Sequence, residues 1–149
     1  MNGKRKGAAN GVCDIITVSM DKKDIKILIV EDDLMLNKIY QTKFGLLGYS
    51  VHAAYDGEEG IKKMEEVVPN VVLLDLMLPK KSGFEVLEAV KQNLRLNHIP
   101  IIILSNLGQE ADMKKGIGLG AVDFLVKSNV KLESVIQHVE NILQKHGPM

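Results

Sequence analysis

Apolar residues along this chain follow two alternating patterns. Short continuous runs, rich in β-branched residues, occur at residues 25–30, 70–76, 99–105 and 121–126, with a weaker run at 50–54. After each run, apolar residues are spaced three or four positions apart, over residues 34–48, 57–67, 84–94, 109–120 and 132–145. The runs predict strands and the spaced patterns predict amphipathic helices. Ile39 is placed on the buried stripe of the first helix, which Gly48 is expected to end, and Leu94 on that of the third. The chain is therefore predicted to contain five strand–helix units.

The strict alternation of strands and helices predicts the fold class. It indicates a doubly wound α/β fold, with a five-stranded parallel sheet and helices on both faces. The strongest runs are continuous, as expected for strands that are buried on both faces. We assign this domain to residues 25–146. Residues 1–24 begin with a small, polar and basic stretch, which we interpret as a disordered leader or an extension added in cloning.

Composition and charge narrow the possible partners and location. The chain has 149 residues, enough for one domain with a core, and its 19 Lys+Arg balance its 19 Asp+Glu. A formal net charge of zero gives no reason to expect nucleic acid or an anionic membrane as a partner. No apolar run approaches the roughly 20 residues that span a bilayer, and the single Cys13 fits a reducing compartment. We expect a cytoplasmic protein without a membrane segment.

Polar residues follow four of the predicted strands, and in sheets of this kind the ligand site lies beyond the carboxyl ends of the strands. These residues are Glu31, Asp32, Asp33, Asp75, Ser105 and Lys127. Carboxylates gathered at one edge repel one another unless a cation intervenes, and an all-oxygen set favours a hard ion such as Mg²⁺. A carboxylate can also attack a phosphoryl donor to form an acyl phosphate. An ammonium group, a hydroxyl and Mg²⁺ would stabilise that transfer.

Four segments resemble, in order, the receiver domains of two-component response regulators: ILIVEDD, VVLLDLMLP, IIILSN and AVDFLVKS. The resemblance covers roughly residues 25–145 and implies the flavodoxin-like strand order 2-1-3-4-5. It also implies a phosphoacceptor that is not itself an enzyme. A histidine kinase or a histidine phosphotransfer protein would supply the phosphoryl group, and a downstream protein target would read the result. Because residues 146–149 directly follow the fifth helix, we expect no DNA-binding domain in this chain.

The resemblance implies a role for each residue that would meet the phosphoryl group. Asp75 is the phosphoacceptor, and Ser105 and Lys127 contact the phosphoryl oxygens. Phe124 occupies the aromatic switch position, and we expect its ring to turn inward when Ser105 is drawn toward the phosphoryl group.

The resemblance also implies a set of Mg²⁺ ligands. Glu31 and Asp32 match the acidic pair, with Asp32 as a direct ligand beside Asp75. Met77, two residues past the acceptor, would add its backbone carbonyl. Asp33 is expected instead to be an acid in the first turn of the following helix or its N-cap.

Two residues depart from the family pattern. Ser128 stands where a proline usually follows the lysine, often through a cis peptide, and a cis bond before a non-proline residue costs about 2.5–4 kcal/mol. The path of this loop is therefore left open. Asn106 stands where a small residue is common. We expect it to change the rate of phosphorylation or hydrolysis, either by narrowing access to Asp75 or by hydrogen-bonding the phosphate.

The fourth predicted helix is rich in glycine. Gly116 and Gly118 lie inside it, while Gly108 and Gly120 flank it. Each interior glycine costs about 1 kcal/mol relative to alanine, so we expect this helix to be short or to fray after Lys115. The resemblance implies that the fourth helix, fifth strand and fifth helix form the face that partners read, and a loosely held helix there would be easy to remodel.

Three other functions are weighed against this interpretation. A receiver-like scaffold that is never phosphorylated would share the fold, and Asn106 and Ser128 keep that alternative open. An aspartyl-phosphate phosphatase of the haloacid-dehalogenase type needs a second acid two residues after the nucleophile, where this chain has Met77. A flavodoxin-like cofactor module needs a hydroxyl- and glycine-rich loop after the first strand, whereas EDDLML would repel phosphate.

Overall fold

The computed structural model describes residues 21–145, in which five strands alternate with five helices. The strands are β1 (Lys26–Val30), β2 (Ser50–Ala54), β3 (Val71–Leu74), β4 (Ile101–Ser105) and β5 (Asp123–Val126). The helices are α1 (Leu34–Leu46), α2 (Gly57–Val67), α3 (Gly83–Lys91), α4 (Glu110–Gly118) and α5 (Leu132–Lys145). Every predicted element is present, although several strands and helices are shorter than the pattern indicated.

All four strand pairings are parallel, and the order across the sheet is β2-β1-β3-β4-β5. The predicted doubly wound fold is therefore confirmed. Successive side chains on a strand point to opposite faces, so each strand contributes to two cores. One core includes Phe44 of α1 and Val139 of α5. The other includes Met64 of α2 and Val86 of α3, with Phe124 of β5.

The ends of α1 follow from local sequence. Asp33 is the N-cap, because its Oδ1 accepts a hydrogen bond from the Leu36 N–H at 3.0 Å, as predicted. At the other end Gly48 adopts a positive φ of 101°. The Gly48 N–H donates to the Gly45 carbonyl and the Tyr49 N–H to the Phe44 carbonyl, which is the glycine-terminated pattern of many helices. The acidic residues after β1 thus lead directly into a helix with a well-defined start.

The end of α3 differs from the prediction. We expected Leu94 to complete the apolar stripe of this helix, but the helix ends at Lys91 and Leu94 is 88% exposed. Asn93 starts a turn, and its side-chain oxygen accepts a hydrogen bond from the Arg95 N–H at 2.9 Å. After this turn Leu96 occupies the buried position that we had assigned to Leu94.

The glycine-rich helix agrees with the prediction in its short length but not in where it ends. α4 is short, but it continues to Gly118, past the end that we expected at Lys115. Gly116 is buried against the sheet, and a Cβ atom there would lie 2.5 Å from Ile103 Cδ1 and 3.3 Å from Phe124 Cδ2. The glycine therefore allows α4 to approach the sheet closely, which the propensity argument did not consider.

Of the predicted leader, residues 1–20 lie outside the described residues, as do residues 146–149. Lys22–Asp24 form one turn of 3-10 helix, and Lys22 Nζ lies 5.4 Å from the centroid of the Tyr49 ring. The boundary of the domain at residue 25 stays a prediction. None of the helices within residues 21–145 combines the length and the hydropathy that a bilayer crossing requires.

We predict opposite effects for two alanine substitutions in α4. Gly116→Ala should lower the free energy of unfolding by about 1–3 kcal/mol, because the added methyl group meets the terminal methyl of Ile103, which is fully buried, and either that side chain or the helix must move. Gly118→Ala is the matched control, since a Cβ atom there would have no heavy atom within 4 Å. It should be neutral or stabilising by up to about 1 kcal/mol. Urea denaturation of both variants measures the difference, and an unchanged Gly116→Ala protein would contradict the packing role.

Candidate functional site

Three carboxylates meet at the carboxyl edge of the sheet. β1 and β3 are neighbours, and Val30 pairs with Leu74, so Glu31 and Asp75 leave adjacent strands at the same level. Carboxylate oxygens of Glu31, Asp32 and Asp75 all lie within 4.8 Å of one another. The structure thus brings together the three acids that the sequence analysis proposed as metal ligands.

The three acids differ in exposure and support. Glu31 is 4% exposed and Asp75 is 6% exposed, whereas Asp32 is exposed at the mouth of the site. Two backbone amides orient the buried pair: the Asp33 N–H donates to Glu31 Oε2 at 3.0 Å and the Met77 N–H to Asp75 Oδ1 at 3.2 Å. The hydrogen bond from the Asp33 N–H favours the ionised form of Glu31. The cluster therefore consists of two buried carboxylates held in fixed positions, Glu31 and Asp75, and one solvent-accessible carboxylate, Asp32.

Lys127, the first residue after β5, contacts two of the acids. Its Nζ donates to Asp75 Oδ2 at 3.0 Å and also to Glu31 Oε1. Every peptide bond within residues 21–145 is trans, and after β5 the chain makes a 3-10 turn over Lys127–Asn129. The path of the loop after Lys127, which the substitution of Ser128 for the usual proline had left open, is thus a 3-10 turn. The lysine side chain contacts the acids although the peptide bond that follows it is trans.

The protonation of this group follows from burial and pairing. Burial raises the pKa of Glu31, since its hydrogen bonds with Lys127 and the Asp33 N–H only partly offset the lost hydration. Burial alone would lower the pKa of Lys127, but its hydrogen bonds to Glu31 and Asp75 outweigh that effect and the pKa is raised. Lys127 is therefore an ammonium at neutral pH. One positive charge faces three acidic side chains at the carboxyl edge of the sheet, and this imbalance favours the binding of an additional cation there.

Ser105 is the last residue of β4 and is fully buried. Because Ile103 pairs with Leu74, Ser105 lies one residue farther along the sheet than Asp75. Its Oγ accepts a hydrogen bond from the Leu107 N–H at 3.4 Å, which leaves the hydroxyl proton available for another acceptor. Asn106, the departure from the family pattern, is exposed to solvent.

The remaining two predicted residues, Met77 and Phe124, place no side-chain polar group among the acids. Met77 is exposed at the rim, and it is its backbone N–H that contacts Asp75. Phe124 is buried beside Ile103 and Gly116. The ring thus already lies inside, so the inward turn that we expected has no outward starting position in this structure. The switch role of Phe124 stays a prediction.

An exposed apolar surface on α1 escaped the sequence analysis. It consists of Leu34, Met35, Ile39 and Leu46 with Leu132 of α5, and we call it the α1 surface. Leu34 is 70% exposed and Met35 is 74% exposed, and both directly follow the acidic residues. We had placed Ile39 on the buried stripe, but it is 44% exposed, because Tyr40 and Phe44 fill the core at this point. Contiguous exposed apolar residues of this kind often mark interaction sites.

Comparisons with known sequences identify the family to which a site of this kind belongs. The sequence model of the response regulator receiver domain matches residues 27–140. A probable transcriptional regulator ycf27 of Guillardia theta is 37% identical over 126 residues, covering 83% of this chain and 48% of the relative. The DNA-binding dual master transcriptional regulator RpaA of Synechocystis sp. is 33% identical over 120 residues, covering 80% of this chain and 49% of the relative.

This chain belongs to the response regulator receiver domain family. It is a receiver domain of the two-component type, and it spans about half the length of the curated relatives it matches. Solved receiver structures have the same fold. The Francisella response regulator 1452 receiver domain superposes with a TM-score of 0.75 at 26% identity, covering 81% of this chain and 98% of that one. The chemotaxis protein CheY4 of Vibrio cholerae gives 0.74 at 26% identity, covering 80% and 98%.

We predict that the receiver domain depends on Lys127 for stability. In the absence of divalent cations, Lys127→Met should lower the free energy of unfolding by about 2–4 kcal/mol, because two buried carboxylates lose their only ammonium partner in the described site. Lys80→Met is the control. Lys80 Nζ lies 3.7 Å from Asp56 on the surface, and losing that contact should cost less than about 1 kcal/mol. Equal losses in urea denaturation would contradict the charge-balance argument.

Proposed function

We propose that this receiver domain accepts a phosphoryl group on Asp75 from a histidine kinase or a histidine phosphotransfer protein in the cytoplasm. The observation that supports this most is the Asp75 carboxylate itself. It is nearly buried, one oxygen accepts from the Met77 N–H and the other from the Lys127 ammonium, and two further acids lie beside it. The domain would act as a phosphoacceptor and not as an enzyme with an external substrate.

The acids fit a magnesium ion. Oxygen ligands suit Mg²⁺, which takes one or two carboxylates and keeps several waters. Asp32 and Asp75 would hold the ion directly with the Met77 carbonyl, whereas Glu31, whose two oxygens already accept from Lys127 and the Asp33 N–H, would complete the set through a water. The exposure of Asp32 leaves an open side for water and phosphate. When bound, Mg²⁺ supplies positive charge to the phosphoryl oxygens. Three carboxylates against one ammonium give the site the negative charge that such binding requires.

The transfer itself follows from the placement of the side chains. An Asp75 oxygen attacks the phosphorus of a phosphohistidine, the P–N bond breaks, and its electron pair stays on the imidazole while the acyl phosphate forms. The Lys127 ammonium, 3.0 Å from Asp75 Oδ2, neutralises charge on the transferred group. The Ser105 hydroxyl, at the end of β4, donates a hydrogen bond to a phosphoryl oxygen. Movement of Ser105 toward that oxygen then changes the packing next to Phe124 and biases the face of α4, β5 and α5 toward a downstream protein target.

We place the phosphodonor protein on the α1 surface. Leu34 and Met35 lie immediately after Asp32 and Asp33, so a protein that covers them also covers the mouth of the site. Lys38 and Lys43 line the same surface and would favour a partner with acidic residues around an apolar contact.

The first test is intact-mass analysis after incubation with acetyl phosphate and Mg²⁺. We expect one phosphoryl adduct on the wild type and none on Asp75→Ala. Asp56→Asn is the control, since Asp56 caps α2 through an oxygen that asparagine retains and lies outside the acidic cluster. It should form the adduct normally. No adduct on the wild type from any donor would favour the scaffold, and continuous phosphate release from organic esters would favour the phosphatase.

The second test separates the donor contact from the chemistry. Leu34→Ser with Met35→Ser should slow phosphoryl transfer from the protein donor at least about tenfold, as expected for central apolar contacts. The same protein should react with acetyl phosphate at the wild-type rate. Leu94→Ser removes a leucine that is 88% exposed, in the turn after α3 and outside the α1 surface, and serves as the control. A double variant that reacts normally with the protein donor would exclude this docking surface.

A further inference from the structure

Asn37 is a fully buried polar side chain in α1, on the face that packs against the sheet. A buried amide is costly unless its hydrogen bonds are satisfied, and here both ends are used. Its Nδ2 donates to the Glu31 carbonyl at 2.9 Å and to the Ala54 carbonyl at 3.2 Å, while its Oδ1 accepts from Gln41 Nε2 at 2.9 Å. Two carbonyls can only accept, so the orientation of the amide is determined.

These bonds hold the chain at the point where β1 has ended. Glu31 is one residue past the last residue of the strand, and its N–H donates to the Ala54 carbonyl at 3.0 Å. The Asn37 amide binds the carbonyl of the same Glu31, so both backbone polar groups of that residue are fixed. Since Asp32 is the next residue, the position of the exposed acid also depends on this support.

We propose that Asn37 is a positioning residue for the metal-binding acids: its side-chain amide fixes the backbone of Glu31 and thereby the spacing of Glu31 and Asp32 from Asp75. This inference rests on the proposed function, because it assumes that these acids bind Mg²⁺. A leucine of similar size would fill the same space but would leave the Glu31 carbonyl without this donor. The segment would then relax, and metal sites are sensitive to such loss of support around their ligands.

The chain offers a matched control at the other end of the same strand. Asn70 Oδ1 accepts a hydrogen bond from the Lys26 N–H at 2.8 Å, at the amino end of β1 and away from the acids. Both asparagines thus attach a side-chain amide to the backbone at an end of β1. Only Asn37 does so beside the acidic cluster.

The experiment is a Mg²⁺ titration of the wild type, Asn37→Leu and Asn70→Leu, followed by the NMR shifts of the Asp33 and Met77 amides at a temperature where all three are folded. We expect Asn37→Leu to weaken Mg²⁺ binding at least about tenfold, with Asn70→Leu within about twofold of the wild type. Asn37→Ser repeats the test with a small polar side chain, so that any effect of added apolar bulk is avoided. The serine hydroxyl is shorter than the asparagine amide and cannot replace both of its donated hydrogen bonds. If Asn37→Leu does not fold, the Asn37→Ser titration alone decides.

The outcomes separate this inference from the proposed function. Wild-type affinity in the Asn37 variant that folds, or an equal loss in Asn70→Leu, overturns the positioning role even if Asp75 is phosphorylated normally. A weakened Asn37 variant supports that role even if the wild type forms no phosphoryl adduct, in which case only the proposed phosphotransfer fails. A wild type that binds no Mg²⁺ overturns both.

Discussion

The structure of the site depends on one ammonium group shared between two buried carboxylates. Glu31 and Asp75 lose most of their hydration, and buried carboxylates are tolerated only when a charge or a hydrogen bond replaces the water. Lys127 supplies that charge from a position 96 residues after Glu31 and 52 residues after Asp75. Only the parallel sheet can bring these side chains together, because it aligns the carboxyl ends of strands that are distant in the sequence. Lys127 does not neutralise all of the negative charge of the acidic cluster, and the remaining charge makes this edge of the sheet suitable for binding a cation.

The helix α1 connects the acids to the rest of the molecule in three ways. Its N-cap, Asp33, lies beside the acids and its backbone N–H orients Glu31. Its inner face contributes Phe44 to the core and Asn37 to the support of the Glu31 backbone. Its outer face exposes apolar side chains next to the mouth of the site. The same helix therefore bears on the proposed metal binding, on folding and on the proposed contact with a donor protein.

The predictions that failed did so for related physical reasons. The glycines of α4 were judged by helix propensity, which is a property of the helix alone, whereas Gly116 is explained by its contact with Ile103. Leu94 and Ile39 were assigned to buried stripes by spacing, whereas a turn at Asn93 and the bulk of Tyr40 and Phe44 decide which side chains enter the core. Spacing predicts which residues share a face, and it does not say how far the neighbouring element covers that face.

Sequence alone determined the alternation of strands and helices, the cap at Asp33, the stop at Gly48 and the polar residues that follow the strands, because these features depend on residues that are close along the chain. It also indicated which acids would share an edge, since parallel strands end on the same side of a sheet. The tertiary structure decided that Lys127 contacts both buried acids, that Asn37 supports Glu31 and that Phe124 lies inside. Those contacts join elements that are remote in sequence, and their geometry is set by how helices pack on the sheet.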